Sequence, residues 1–233
     1  MTSLTDFPIT KKWPAQFPDR IQLYSLPTPN GIKVSAMLEE TGLSYEAHKV
    51  DFGASDQLTP EFLSLNPNNK IPAIIDPDGP DGQPLPLWES GAILIYLAEK
   101  TGKLIPADAA RKFETIQWVM WQMGGLGPMS GQVGFFNKFA GKDYEDRRPF
   151  ERYRDEVKRL LGVLDQRLEG RDFIMGEYTI ADITSWPWIR NLNGFYEAGE
   201  HVELESRKNV MRWAETCMAR PASQAAINIP PSG

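Results

Sequence analysis

Three short stretches of this sequence combine residue types able to hold a charged molecule. Thr28-Pro29-Asn30-Gly31 sets a hydroxyl, a proline suited to the first helical position and a carboxamide in succession. A helix starting there turns its amide dipoles and two polar side chains toward an anion. Glu89-Ser90 precedes the apolar stretch Gly91-Ala-Ile-Leu-Ile-Tyr-Leu-Ala98. At a helix start this pair offers free amides and a hydroxyl to a carboxylate, and an acid to an ammonium. Lys70-Ile71-Pro72 joins a cation to an X-Pro bond at the head of an apolar strand. Taken singly, each stretch also has a plain structural reading. Thr28 and Ser90 are ordinary caps, Glu89, Gln57 and Lys70 are solvated polar residues, and a trans proline opening an edge strand is the default.

Other chemistries are poorly supplied. The single cysteine, Cys217, rules out an internal disulfide and any mechanism needing a CxxC pair. His48 falls in a strand and His201 in a polar loop, without the spacing of a metal site or a triad. No metal is expected. A formal net charge of −6 over 233 residues gives no electrostatic footprint for nucleic acid or an anionic membrane. The first twenty residues carry three prolines and no apolar run resembling a signal or a span, so a cytoplasmic protein is expected.

The elements that must position these residues follow from periodicity. Ile21–Tyr24 alternates as a strand, a helix with a broad apolar face runs from Ile32 toward a stop at Gly42, and Tyr45–Val50 alternates again. A short helix is expected from Thr59 to Leu65, with Pro60 in its first turn. Ile71–Ile75 and Leu85–Trp88 read as a hairpin across a Pro- and Gly-rich linker, and the apolar helix after Ser90 closes at Gly102. The order βαβαββα gives way to helical periodicity at 109–123, 145–169, 180–190 and 207–219. Thr179-Ile-Ala-Asp182 has the spacing of a capping box. The expected segments are an N-terminal extension at 1–19, anchored by Trp13 and Phe17, an α/β domain at 20–102, a linker at 103–108, an all-α domain at 109–222 and a tail at 223–233.

This order, with Asn69-Lys-Ile-Pro72, Trp88-Glu-Ser90 and Thr179-Ile-Ala-Asp182 in place, resembles the cytosolic glutathione S-transferases over residues 20–222. Thr28-Pro-Asn-Gly31, Asn66-Pro-Asn-Asn-Lys-Ile-Pro-Ala73, Glu89–Lys100 and Gly124-Gly-Leu-Gly-Pro-Met129 look like the Nu class, whose bacterial members reduce disulfides with glutathione. The resemblance implies a thioredoxin-like domain followed by a helical bundle, with a cis Ile71–Pro72 bond that lets the Ile71 backbone pair with glutathione. It also implies Glu89 and Ser90 on the γ-glutamyl group, Gln57 and Lys70 on its other polar groups, and Arg152 reaching its carboxylates from the helical domain, with Arg154 close in register. Thr28 and Asn30 would stabilise the glutathione thiolate. Thr28 stands where related classes carry a catalytic Ser or Cys, whereas Tyr24 is expected to be packed and Cys217 to be inert. Met129, Phe135, Phe136 and Phe139 are candidates for the co-substrate pocket or for plain core. The implied protein is a homodimer using glutathione, reduced or oxidised, with a small disulfide. Conjugation to electrophiles, hydroperoxide reduction and a non-catalytic binding role are the alternatives.

Overall fold

A computed structural model describes residues 3–231. They form two compact units, residues 3–101 with 221–231, and residues 102–220.

The first unit has the order β1 (Ile21–Ser25), α1 (Pro29–Thr41), β2 (Tyr45–Lys49), α2 (Pro60–Leu65), β3 (Ala73–Asp76), β4 (Leu85–Trp88) and α3 (Ser90–Thr101). Its sheet runs β2-β1-β3-β4, parallel between β1 and β2 and antiparallel elsewhere, with Tyr24, Ala73 and Trp88 level across three strands. This is the thioredoxin-like arrangement. β1 and β3 are buried throughout, consistent with their central places in the sheet. Gly42, in the left-handed region at φ 74°, ends α1, where a Cβ would be strained. Asp76, at the end of β3, is nearly inaccessible. It accepts from Tyr96 Oη at 2.6 Å and pairs with Lys100 Nζ at 2.9 Å, tying α3 to the sheet.

The N-terminal stretch is built into this unit rather than lying over it. Leu4 and Ile9 are buried in one cluster with Tyr24, Phe62, Ile71 and Ile75. Burying two aliphatic side chains contributes about 3–6 kcal/mol, enough to hold an irregular segment in place. Trp13 anchors as expected: its ring meets Tyr24 and Phe62 edge-on, and Nε1 donates to Lys49 O at 3.0 Å. The Phe17 ring does not anchor, being 43% exposed under Arg20; its backbone N–H does, donating to Glu46 at 2.8 Å.

The second unit contains α4 (Ala109–Trp121), α5 (Gly127–Lys138), α6 (Arg148–Arg167), α7 (Ile180–Asn193) and α8 (Lys208–Met218). α4 and α5 are joined by a π-helical turn, Gln122–Leu126, so the helical path continues past residue 123, where the expected helix ended. Packing overrides the weak helix propensity of glycine here. A Cβ on Gly134 would stand 2.5 Å from the Tyr196 ring, so the missing side chain is what lets that ring close on α5. The capping box forms: Asp182 Oδ2 accepts from Thr179 N at 2.9 Å, and Thr179 Oγ1 from Ala181 N at 3.3 Å.

A last helix, α9 (Pro221–Ala226), lies with the first unit, against α1, where Ser35 Oγ donates to Ile229 O at 3.3 Å. Residues 221 and 222, expected in the helical domain at 109–222, thus group with the first unit. Ala226 and Pro230 are buried there.

Candidate active site

Two helix N-termini meet the β3 approach in the first unit. Thr28 caps α1, its Oγ1 accepting from Gly31 N at 3.3 Å with Pro29 in the first turn. An oxygen used as an acceptor in this way still has its own hydrogen to give. Gly31 permits the geometry, since a Cβ there would fall 1.8 Å from Leu26 O. Glu89 occupies the cap position of α3 with φ 72°, a conformation that side chains with a Cβ rarely adopt. Such strain concentrates at functional positions. Ser90 follows it and is buried, while the Glu89 side chain is exposed.

The Ile71–Pro72 bond is cis, as the resemblance implied. Ile71 precedes the β3 ladder, whose pairing begins at Ala73, so its backbone lies outside the sheet's own register. The loop before it is held by Asn66, whose Nδ2 donates to Lys70 O at 2.6 Å and whose Oδ1 accepts from Asn68 N at 2.9 Å.

Asn30, Asn66, Lys70, Ile71, Pro72, Glu89 and Ser90 line one cavity of about 220 Å³. Five of the eight residues expected at a glutathione site thus converge: Asn30, Lys70, Ile71, Glu89 and Ser90. Thr28 and Gln57 do not line this cavity. Thr28 lies two residues before Asn30 at the α1 start, and Gln57 is in the 3-10 turn Asp56–Leu58 before α2, where its Oε1 is buried and has no hydrogen-bond partner among the described residues. Arg152 stands on α6 in the second unit, largely exposed, with Glu156 at 4.0 Å; Arg154 pairs with Asp155 at 2.9 Å. The cavity offers a cation and helix amides to carboxylates, and an acid to an ammonium. That donor set suits a short zwitterionic peptide.

Residues 20–99 match the glutathione S-transferase N-terminal domain, and residues 129–221 the C-terminal domain. The chain belongs to the glutathione S-transferase family. It is 46% identical over 209 residues to the disulfide-bond oxidoreductase YfcG of Escherichia coli, covering 89% of this chain and 94% of that protein. A glutathione transferase from Burkholderia graminis, solved with two glutathione molecules bound per subunit, is 68% identical, with a TM-score of 0.98 over 100% of this chain and 98% of that one. One from Pseudomonas putida, solved with one glutathione disulfide per subunit, is 62% identical, with a TM-score of 0.97 over 98% of this chain and 100% of that one.

Within this transferase fold, the aromatic and thiol groups set aside from the sequence are sealed. Tyr24 is inaccessible, stacked on His48 at 4.8 Å, and its hydroxyl has no hydrogen-bond partner among the described residues. Burial, reinforced by the Glu46 charge, pushes its phenol well above the ordinary range, so it stays protonated. Tyr24→Phe is expected to change thermal stability by no more than about 1 kcal/mol and to leave glutathione turnover intact, because no described residue hydrogen-bonds the hydroxyl. Melting curves and steady-state rates check this. Burial likewise lowers the His48 pKa, and its Nε2 lies 2.8 Å from Gln22 Oε1, a structural pairing. Cys217 is inaccessible on α8. Among the described residues no group of acids, histidines or cysteine can hold a metal. No described helix is long and apolar enough to cross a membrane.

Of the candidate pocket aromatics, Phe136 is buried and stacked on Tyr153 at 5.9 Å, filling core. Phe139 is 46% exposed and leans on Phe195, and Phe135 meets Phe136 edge-on. Asn66, the first residue of the Asn66–Ala73 motif, is a cavity residue beyond the eight expected. Its signal was the asparagine at a helix end followed by a Pro-Asn-Asn turn. Lys33, beneath Ser90, carried no signal, since a lysine in a helix reads as solvated.

Proposed function

We propose that this protein is a Nu-like glutathione-dependent disulfide reductase, working as a cytoplasmic homodimer. The observation that carries the reading is the cavity joining the α1 start, Ile71 and the Glu89-Ser90 corner, in a chain whose one cysteine is buried. Glutathione provides the sulfur. Its γ-glutamyl carboxylate lies at Ser90 and the α3 amides, its ammonium at Glu89, its peptide backbone along Ile71 and its other polar groups toward Lys70 and Gln57, with Arg152 as a further carboxylate partner. The α1 N-terminus, Thr28 and Asn30 stabilise its thiolate. That thiolate attacks one sulfur of a small disulfide, forming a mixed disulfide and expelling the other sulfur as a thiolate. A second glutathione thiolate then attacks the glutathione sulfur of the mixed disulfide, releasing glutathione disulfide and the second substrate thiol. The names of the E. coli relative and the glutathione disulfide held by the P. putida neighbour support disulfide exchange over conjugation.

A dimer is supported by Phe113 and Met120, seven residues apart on α4 and 69% and 53% exposed, and by Phe52, 44% exposed in the first unit. A second copy covering them removes large apolar groups from water. A chemistry run by free glutathione also needs a reducing compartment, which the cytoplasm provides.

The deciding experiment is turnover with glutathione and, in parallel, 2-hydroxyethyl disulfide, cumene hydroperoxide and 1-chloro-2,4-dinitrobenzene. The disulfide is expected to be the best substrate; faster reaction of either other compound would replace this reading. Thr28→Ala and Asn30→Ala are each expected to raise the pKa of enzyme-bound glutathione by about one unit, read from thiolate absorbance against pH. An unmoved pKa in both variants rejects their role. Cys217→Ala is expected to keep disulfide reductase activity within about twofold, because a fully buried thiol is inert.

A further inference from the structure

Lys33 has no accessible surface. It lies on α1, which packs against α3, and its Nζ donates to Ser90 Oγ at 3.4 Å. Burying an ammonium costs several kcal/mol unless the charge is compensated, and a methionine would fill the same space without that cost. This buried ammonium stands beside the helix terminus at which Ser90 and Glu89 line the cavity.

A serine hydroxyl has one hydrogen and two lone pairs. When a charged donor occupies one lone pair, the hydrogen is given in another direction, and polarisation strengthens the bond it makes. Positive charge behind the start of α3 also adds to that helix's own N-terminal field. We propose that Lys33 is a positioning residue of the γ-glutamyl subsite, acting through Ser90 on the bound carboxylate without touching the ligand. This rests on the glutathione reading given above. Burial pulls the Lys33 ammonium down to about 7 while the Glu89 charge pulls it up, so this lysine shares the electrostatics of the Glu89-Ser90 corner.

The test measures glutathione binding by calorimetry to the native protein, Lys33→Met, Ser90→Ala and the double variant. Each single variant is expected to bind about tenfold more weakly, as for loss of one charge-assisted hydrogen bond, and the double variant no more weakly than either. Cysteinylglycine, which lacks the γ-glutamyl group, is expected to be used as a thiol equally well by Lys33→Met and the native protein. Native affinity in Lys33→Met, multiplying losses in the double variant, or an equal fall in cysteinylglycine turnover would each overturn the proposal. If Lys33→Met does not fold, the native protein with 13C-labelled lysine serves: the Lys33 Cε resonance is expected to move with glutathione and not with cysteinylglycine. A resonance that ignores bound glutathione refutes the role. Failure of the native protein to bind glutathione removes the functional reading and this inference together.

Discussion

Asp182→Ala is expected to cost about 4 kcal/mol of unfolding free energy near pH 5, enough to unfold much of a marginally stable population on warming. Asp182 is inaccessible, and four donors end on it. Ile174 N and Trp213 Nε1 reach Oδ1 at 2.9 and 2.8 Å, and Thr179 N and Oγ1 reach Oδ2 at 2.9 and 3.3 Å. Removing the carboxylate strands buried donors at about 1 kcal/mol or more each and opens a small void.

The pH dependence has a definite sign. Burial pushes the Asp182 carboxyl up to about 6 despite the donors that pull it down. With the folded pKa above the unfolded one, the stabilising contribution is full below about pH 4 and is lost as pH rises through about 6. The deficit of Asp182→Ala relative to the native protein should therefore shrink between about pH 5 and about pH 8. Urea unfolding at both pH values measures it. An equal deficit at both would refute the raised pKa, and one below about 1 kcal/mol at either would refute the network.

Glu89→Gly is expected to weaken glutathione binding about 100-fold while making the protein more stable by about 0.5–1 kcal/mol. Opposite signs arise because the residue serves two needs. Glu89 lines the cavity, where the proposed reading makes its carboxylate the acceptor for the glutathione ammonium, and its backbone holds φ 72°, which glycine adopts without strain. Calorimetric titration with glutathione and thermal unfolding separate the two effects. A variant that binds normally would remove Glu89 from the site, and one that is less stable would show that the side chain supports the fold.

The family resemblance and the cap-and-turn signals carried much of the site. Ser90 and Thr28 were legible because a hydroxyl before an apolar run marks a helix start. Lys70-Ile71-Pro72 was legible once the order of elements was read with it. The helix at Gly127–Lys138 was not, because glycine spacing signals a break locally and the compensating ring of Tyr196 lies more than 60 residues further on.

What the sequence determined by itself was local: strand alternation, helix starts at Pro29 and Ser90, the Thr179–Asp182 box and the absence of a second cysteine. Backbone capping and periodicity act within a few residues, so composition and spacing are enough to specify them. Tertiary structure alone decided that the N-terminal stretch joins the core around Ile71, that α9 returns to α1, and that Lys33 is a buried charge under Ser90. Each of those depends on which distant surface removes a side chain from water, and that is a property of the assembled fold rather than of neighbouring residues.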